Sequence, residues 1–312
     1  MKILIISGFL GAGKTTFIKK MVEVTGRDLV VMENEYGEVG IDGELLSNGE
    51  KVNIWELTEG CICCTMKSDF ASSILTIANT LDPEYLIVEP TGVGVLSNVI
   101  ANIRQIEYER ISLLSPVTIV DANCFDRLRK EYGDIFEDQL KSAGTIVVSK
   151  RSFSSPREEE HLRKEIQSIS PDARIRMEHY SKADVSWWES LLKMDLSGKQ
   201  IPDGNVEEAD LETLSLTDIV LPSGNHLVGF LEELIRGAFG RIFRAKGFVD
   251  VGECCLRFDV VGDRYTITGF DSTELPRSVF IGKELQKNRL RKRLLRNFRV
   301  DVRAMKLKKD SC

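Results

Sequence analysis

Ile-Leu-Ile-Ile-Ser-Gly-Phe-Leu-Gly-Ala-Gly-Lys-Thr-Thr, residues 3–16, sets the architecture of this chain. Residues 3–7 form an unbroken apolar run that stops at a glycine, the pattern of a strand buried on both faces of a parallel sheet. Gly8, Gly11, Ala12, Gly13, Lys14 and Thr15 then match G-x-x-x-x-G-K-[ST], placed where a phosphate-binding loop belongs, after a strand and at the start of a helix expected over 13–24. Glycines let successive amides turn toward phosphate oxygens, and the helix N-terminus adds partial positive charge. Lys14 then reaches the β and γ phosphates, Thr15 places its hydroxyl on Mg²⁺, and Thr16 touches the α phosphate.

Such a loop needs an acid nearby. Residues 86–92, Leu-Ile-Val-Glu-Pro-Thr-Gly, read as an apolar strand that ends in Glu89, with Gly92 three positions on. A carboxylate there holds the Mg²⁺ shell or the attacking water, and the Gly92 amide senses the γ phosphate. Asp121, after the apolar run 117–120, is a second strand-end acid; a helix N-cap explains it equally well.

Strand signals at 29–32, 85–88, 117–120 and 145–148 alternate with helical or loop segments, and a capped helix is expected from Ser154 or Ser155 to about Ile169. This describes an open, mostly parallel α/β sheet of the P-loop type over 1–194. A polar stretch with glycines and Pro202, 195–211, reads as a linker. Over 212–312 the pattern becomes that of a smaller α+β domain with mostly antiparallel strands: strands at 214–221, 242–251, 254–261, 265–270 and 278–281, an amphipathic helix carrying Leu227, Phe230, Leu231, Leu234, Ile235 and Ala238, and a basic helix near 286–298. A net charge of −6 argues against nucleic acid as the main partner. No apolar run is long enough to span a bilayer and none reads as a leader, so a cytoplasmic protein is expected, with no membrane partner.

Three of the seven cysteines, Cys61, Cys63 and Cys64, fall within four residues, and His161, His179 and His226 lie far away in sequence. Metal binding, thiol exchange and plain core packing are all open for this window. Thiolates at i, i+2 and i+3 can converge on a borderline ion such as Zn²⁺ or Co²⁺, and three protein ligands leave a position open for release. Cys124, Cys254, Cys255 and Cys312 read as packing or surface residues; the alternation of Cys254 with Leu256, Phe258 and Val260 predicts a core-facing thiol.

Taken together, SGFLGAGKTT (7–16), ENEYGEVGIDGELL (33–46), ELTEGCICC (56–64), VEPTG (88–92), VDA (120–122), RAKGFV (244–249) and VFIGKEL (279–285) resemble the CobW-like GTPases over most of the chain. The resemblance implies a GTP-hydrolysing metallochaperone with Lys14, Thr15 and Glu89 in the catalytic centre. Nucleotide would be bound by 8, 11–16, Gly92 and Lys150, and a divalent ion by Cys61, Cys63 and Cys64, supplemented by Glu33 and Glu38. It further implies GTP and Mg²⁺ as cofactors, Zn²⁺ or Co²⁺ as the ion carried, and a client metalloprotein or cofactor-synthesis enzyme as partner; an oligomer is compatible with it. One departure stands out. Guanine is read by N/T-K-x-D, and here Ser149-Lys150-Arg151-Ser152 puts a hydroxyl in place of the carboxylate, which costs on the order of 2 kcal/mol of guanine selectivity. A P-loop ATPase or small-molecule kinase with structural cysteines, and a nucleotide-regulated binding module, are the rival readings.

Overall fold

The computed structural model describes residues 1–33, 53–56, 67–152, 155–196, 201–202, 206, 211–252, 254–270 and 276–295. The chain divides into two compact units, Met1–Asp210 and Leu211–Cys312.

In the first unit, β1 (Lys2–Gly8), α1 (Lys14–Thr25), β2 (Leu29–Glu33), β3 (Asn53–Glu56), α2 (Lys67–Thr80), β4 (Tyr85–Glu89) and α3 (Leu96–Arg104) follow one another. β5 (Ser112–Leu113), β6 (Val117–Asp121), α4 (Phe125–Ser142), β7 (Thr145–Ser149), α5 (Pro156–Ile169), β8 (Arg174–Arg176) and α6 (Val185–Leu191) complete it. The strands form one sheet in the order β3-β2-β4-β1-β6-β7-β8, with β5 beside β1, and the described pairings are all parallel. The apolar run of β1 serves both faces of that sheet. Leu4 and Ile6 point toward Phe17, Ile18 and Met21 of α1 and Trp188 of α6, while Ile3 and Ile5 point toward Ile74 of α2 and Leu96, Val99 and Ile100 of α3. A strand so enclosed has no polar face to show, which is why its sequence does not alternate. α5 opens as expected, with Ser155 as N-cap accepting from the Glu158 amide and Pro156 in the first turn.

β3, β5 and β8 were not expected from the sequence. They are four, two and three residues long, and exist as extensions of pairings that longer neighbours nucleate.

The second unit holds β9 (Glu212–Thr217), α7 (Gly224–Ile235), β10 (Arg241–Asp250), β11 (Cys255–Val261), β12 (Arg264–Phe270), β13 (Arg277–Lys283) and α8 (Lys287–Leu294). Its sheet is antiparallel in the order β12-β11-β10-β13-β9. Leu227, Phe230, Leu231 and Leu234 of α7, with Leu290 and Leu294 of α8, cover a sheet face built from Leu214, Leu216, Ala245, Val249, Phe258, Val260 and Phe280.

Three expectations here require correction. The strand expected to continue to Leu221 ends at Thr217, because Asp218 turns to φ 58° and its amide bonds to Pro276 O. The amphipathic helix stops at Ile235, and Ala238 reaches the core from the following turn. Cys254 does not face the core: it is exposed in the β10–β11 turn, where its carbonyl accepts from the Val251 amide and the strand alternation has not begun. Among the described residues no helix is long and apolar enough to cross a membrane.

Candidate active site

β1 delivers the chain to the C-terminal edge of the parallel sheet, where Gly8, Gly11 and Gly13 take φ values of 139°, 75° and 102°. These angles belong to glycine, and at Gly8 the space does too, since a Cβ there would lie 2.3 Å from Ile119 O. The resulting curl is pinned from β7, where the buried Ser149 hydroxyl donates to Ala12 O at 2.7 Å and to Val120 O at 3.2 Å.

Lys14, only 7% exposed, folds back over the loop: its ammonium donates to Gly8 O at 3.1 Å and lies 3.7 Å from Glu89 Oε1. A buried ammonium is costly unless paired, and these two oxygens pair it where phosphate would arrive. Thr15 Oγ1 donates to Glu89 Oε1 and Oε2 at 3.4 and 3.3 Å. Thus Lys14 and Thr15 meet Glu89, 74 positions beyond Thr15, at the end of β4. Thr16 is exposed on the first turn of α1. The hydroxyl and carboxylate of Thr15 and Glu89 form an all-oxygen donor pair of the kind that a hard cation such as Mg²⁺ takes, so the residues fit that ion. Gly92 packs against the phosphate loop so tightly that a Cβ would lie 2.5 Å from Leu10 N.

Parallel register places Glu33 of β2 beside both Glu56 of β3 and Glu89 of β4, so three acids share one row at the sheet edge. Glu33 is 4% exposed. Glu56 was not singled out from the sequence; the signal was its place at the head of ELTEGCICC, obscured because β3 has only four residues. Cys61, Cys63, Cys64 and Glu38 lie outside the described residues, within which no three potential metal ligands gather.

On the other flank, Lys150 takes φ 49° and its ammonium lies 3.3 Å from Asp121 Oδ2, while Asn123 Nδ2 donates to Lys150 O at 2.6 Å. Asp121 also caps the short 3-10 turn Ala122–Cys124 by accepting from the Asn123 amide at 2.9 Å. Ser152 opens onto a cleft of about 210 Å³ shared with Asn123, Asp126, Glu158, His161 and Glu165. Burial, then the neighbouring Asp121 carboxylate, push the Cys124 thiol up, and burial followed by Asp250 does the same for Cys255.

A parallel sheet with a glycine loop at β1, a retracted lysine, and a threonine hydroxyl on a strand-end carboxylate define a P-loop nucleotide-binding protein. The chain belongs to the CobW/HypB/UreG family, whose nucleotide-binding domain matches residues 2–176, and the cobalamin synthesis protein cobW C-terminal domain matches 222–297. It is 31% identical to the zinc chaperone YeiR of Escherichia coli over 58% of this chain and 56% of that protein. It is 26% identical to the zinc chaperone CobW of Pseudomonas aeruginosa over 91% and 88%. The match to YeiR thus spans about half the length of that relative. Among solved structures, Zn(II)-bound YjiA GTPase from E. coli aligns over 94% of this chain and 97% of that one, at 20% identity and a TM-score of 0.43.

Proposed function

We propose that this protein hydrolyses GTP and uses the cycle to take up a divalent ion at Cys61-x-Cys63-Cys64 and release it to a client metalloprotein or cofactor-synthesis enzyme. The observation that carries the reading is the meeting of Lys14 and Thr15 of the phosphate loop with Glu89, which has Glu33 in register beside it and Glu56 in register beside Glu33. The cysteines follow Glu56 by five to eight residues in sequence, and the relatives YeiR and CobW are zinc chaperones.

In this reading Lys14 stabilises charge on the β and γ phosphates, and the Gly8–Thr16 amides hold the phosphate chain. Thr15 and Glu89 would hold Mg²⁺, which would supply neutralisation of charge on the phosphate oxygens. Glu89 orients water in line with the γ phosphate, and the Gly92 amide registers whether that phosphate is present. The ion carried is Zn²⁺ or Co²⁺, both suited to thiolate with a supplementary carboxylate from Glu33 or Glu38. Free thiolates of this kind belong in a reducing compartment. Because Glu33 and Glu89 are register neighbours, nucleotide state and ion affinity are linked, and linkage is reciprocal. Ser152 favours weaker discrimination between guanine and adenine than a carboxylate at that position would give.

The test is zinc affinity measured with GTP, with GDP and without nucleotide, alongside the Cys61→Ala/Cys63→Ala/Cys64→Ala variant. The expected result is nucleotide-dependent affinity that the variant lacks while retaining GTP binding. Equal affinities in the three states, or zinc bound unchanged by the variant, would overturn the reading.

A further inference from the structure

The loop that follows Glu89 is held in place by a helix that carries none of the phosphate-binding residues. Gln139 of α4 is 1% exposed, and its Nε2 donates to Gly94 O at 3.0 Å and to Gly92 O at 3.3 Å. Both partners are carbonyl oxygens, so the nitrogen must face them, and one amide group satisfies two buried acceptors at once. Its neighbour Asp138, 2% exposed, accepts from the Ser97 amide at 3.1 Å, at the start of α3, whose N-cap residue Val95 offers no side-chain bond. At the first of these anchors the segment makes its own turn, Gly94 N to Thr91 O at 2.9 Å.

The same helix grips the phosphate loop. Tyr132 packs on Phe9 with ring centroids 4.6 Å apart, and Phe136 lies 6.3 Å from Phe9. Tyr132, Phe136 and Gln139 lie at i, i+4 and i+7, on one strip of the helix, although Tyr132 itself takes non-helical angles, φ −131° and ψ 25°, at a kink. α4 is in turn fixed to the sheet, where Thr118 Oγ1 donates to Gln139 O at 2.9 Å.

We infer that α4 sets the spacing between the phosphate loop and the Gly92–Gly94 loop, with Gln139 as a positioning residue for hydrolysis. This rests on the GTP-hydrolysing reading above. Gln139 acts through the loop and touches neither phosphate nor Mg²⁺. Removing its amide leaves Gly92 O and Gly94 O buried without their donor, so the loop relaxes toward water and withdraws from Leu10. A nucleoside diphosphate, held by the phosphate-loop amides, is little affected. A triphosphate, whose γ phosphate needs the Gly92 amide, is affected strongly.

The experiment compares wild type with Gln139→Met, similar in length without the amide, and Gln139→Glu, which keeps the shape and offers at most one donor in place of two. GDP affinity, affinity for a non-hydrolysable GTP analogue, single-turnover GTP hydrolysis and melting temperature are read on the full chain. The expected result is a folded variant with GDP affinity within a few-fold of wild type and hydrolysis slowed by about ten- to a hundredfold. The preference for the GTP analogue over GDP should fall in parallel. Hydrolysis and analogue preference unchanged in a folded variant overturn the inference, as does a loss of GDP affinity equal to the loss of rate, or the unfolding of both variants, which assigns Gln139 to stability alone. A wild-type protein that binds GTP analogue and GDP but does not hydrolyse GTP refutes the parent reading instead; the analogue preference then still decides the role of Gln139.

Discussion

Replacing Gly92 by alanine forces the two phosphate-facing loops apart. A Cβ at that position would stand 2.5 Å from Leu10 N, 2.8 Å from Leu10 Cα and 2.9 Å from Phe9 C, against the 3.4 Å at which ordinary contact begins. All three atoms are backbone, so no side-chain rotation relieves the clash, and the loops must separate by about 0.9 Å at the tightest point. Overpacking of this kind costs about 1–3 kcal/mol. For a unit of this size that corresponds to a melting temperature lowered by about 2–12 °C. The effect on chemistry is larger, since a misplacement of about 1 Å in a catalytic arrangement is worth on the order of a hundredfold in rate. GTP turnover, GDP affinity and melting temperature of Gly92→Ala are the assay. The expected outcome is a modestly destabilised protein that binds GDP and turns over GTP about a hundredfold more slowly. A variant that hydrolyses GTP within twofold of wild type and melts within about 1 °C of it would refute the reasoning, because the close approach would then have no mechanical consequence.

Glu89→Gln keeps the shape of the Thr15 contact and removes the charge beside Lys14. Hydrolysis should fall on the order of a hundredfold or more, while binding loses much of its Mg²⁺ dependence, as titration of nucleotide affinity against Mg²⁺ will show. Ser152→Asp should raise the preference for GTP over ATP by up to about thirtyfold, the equivalent of about 2 kcal/mol, in competition binding; an unchanged ratio means the base is read elsewhere. Burial pushes the Asp138 carboxyl up from the ordinary aspartate range, against the hydrogen bonds from Ser97 that pull it down. Below about pH 4 both folded and unfolded chains hold this proton, so Asp138 adds no pH dependence there. As pH rises further the unfolded chain ionises first, so stability falls until the folded carboxyl also ionises, then levels off. Urea midpoints of Asp138→Asn between pH 4 and 8 should lack that slope, and a profile parallel to wild type would contradict the assignment.

The phosphate loop and the Glu89 strand were legible in sequence because each rests on local signals: an apolar run buried on both faces, glycines at fixed offsets, and an acid at a strand end. The family resemblance read from these motifs and from the second unit holds, as does the division into a parallel and an antiparallel sheet. What local patterns could not show was pairing. β3, β5 and β8 are too short to declare themselves, and with β3 went the alignment of Glu56 with Glu33. Gln139 looks like any polar residue of an amphipathic helix until its two carbonyl partners, more than 40 residues away, are seen. Lys150 was expected beside a base, and its pairing with Asp121 depends on β6 and β7 being neighbours. The alternation that predicts a core-facing Cys254 begins only at Cys255, the first residue of β11.

β1 has one further consequence, for biosynthesis. It is made before every strand it pairs with, since its partners in β4, β5 and β6 begin at Tyr85, Ser112 and Val117. At ordinary elongation speeds the ribosome needs about 4–16 s to reach the first of them. During that interval Ile3–Ile6 is a sticky ribbon with no sheet to join, and Gly8 lacks the Ile119 carbonyl against which it wedges. A nucleotide that needs the phosphate loop wedged in place therefore cannot stabilise β1 during that interval.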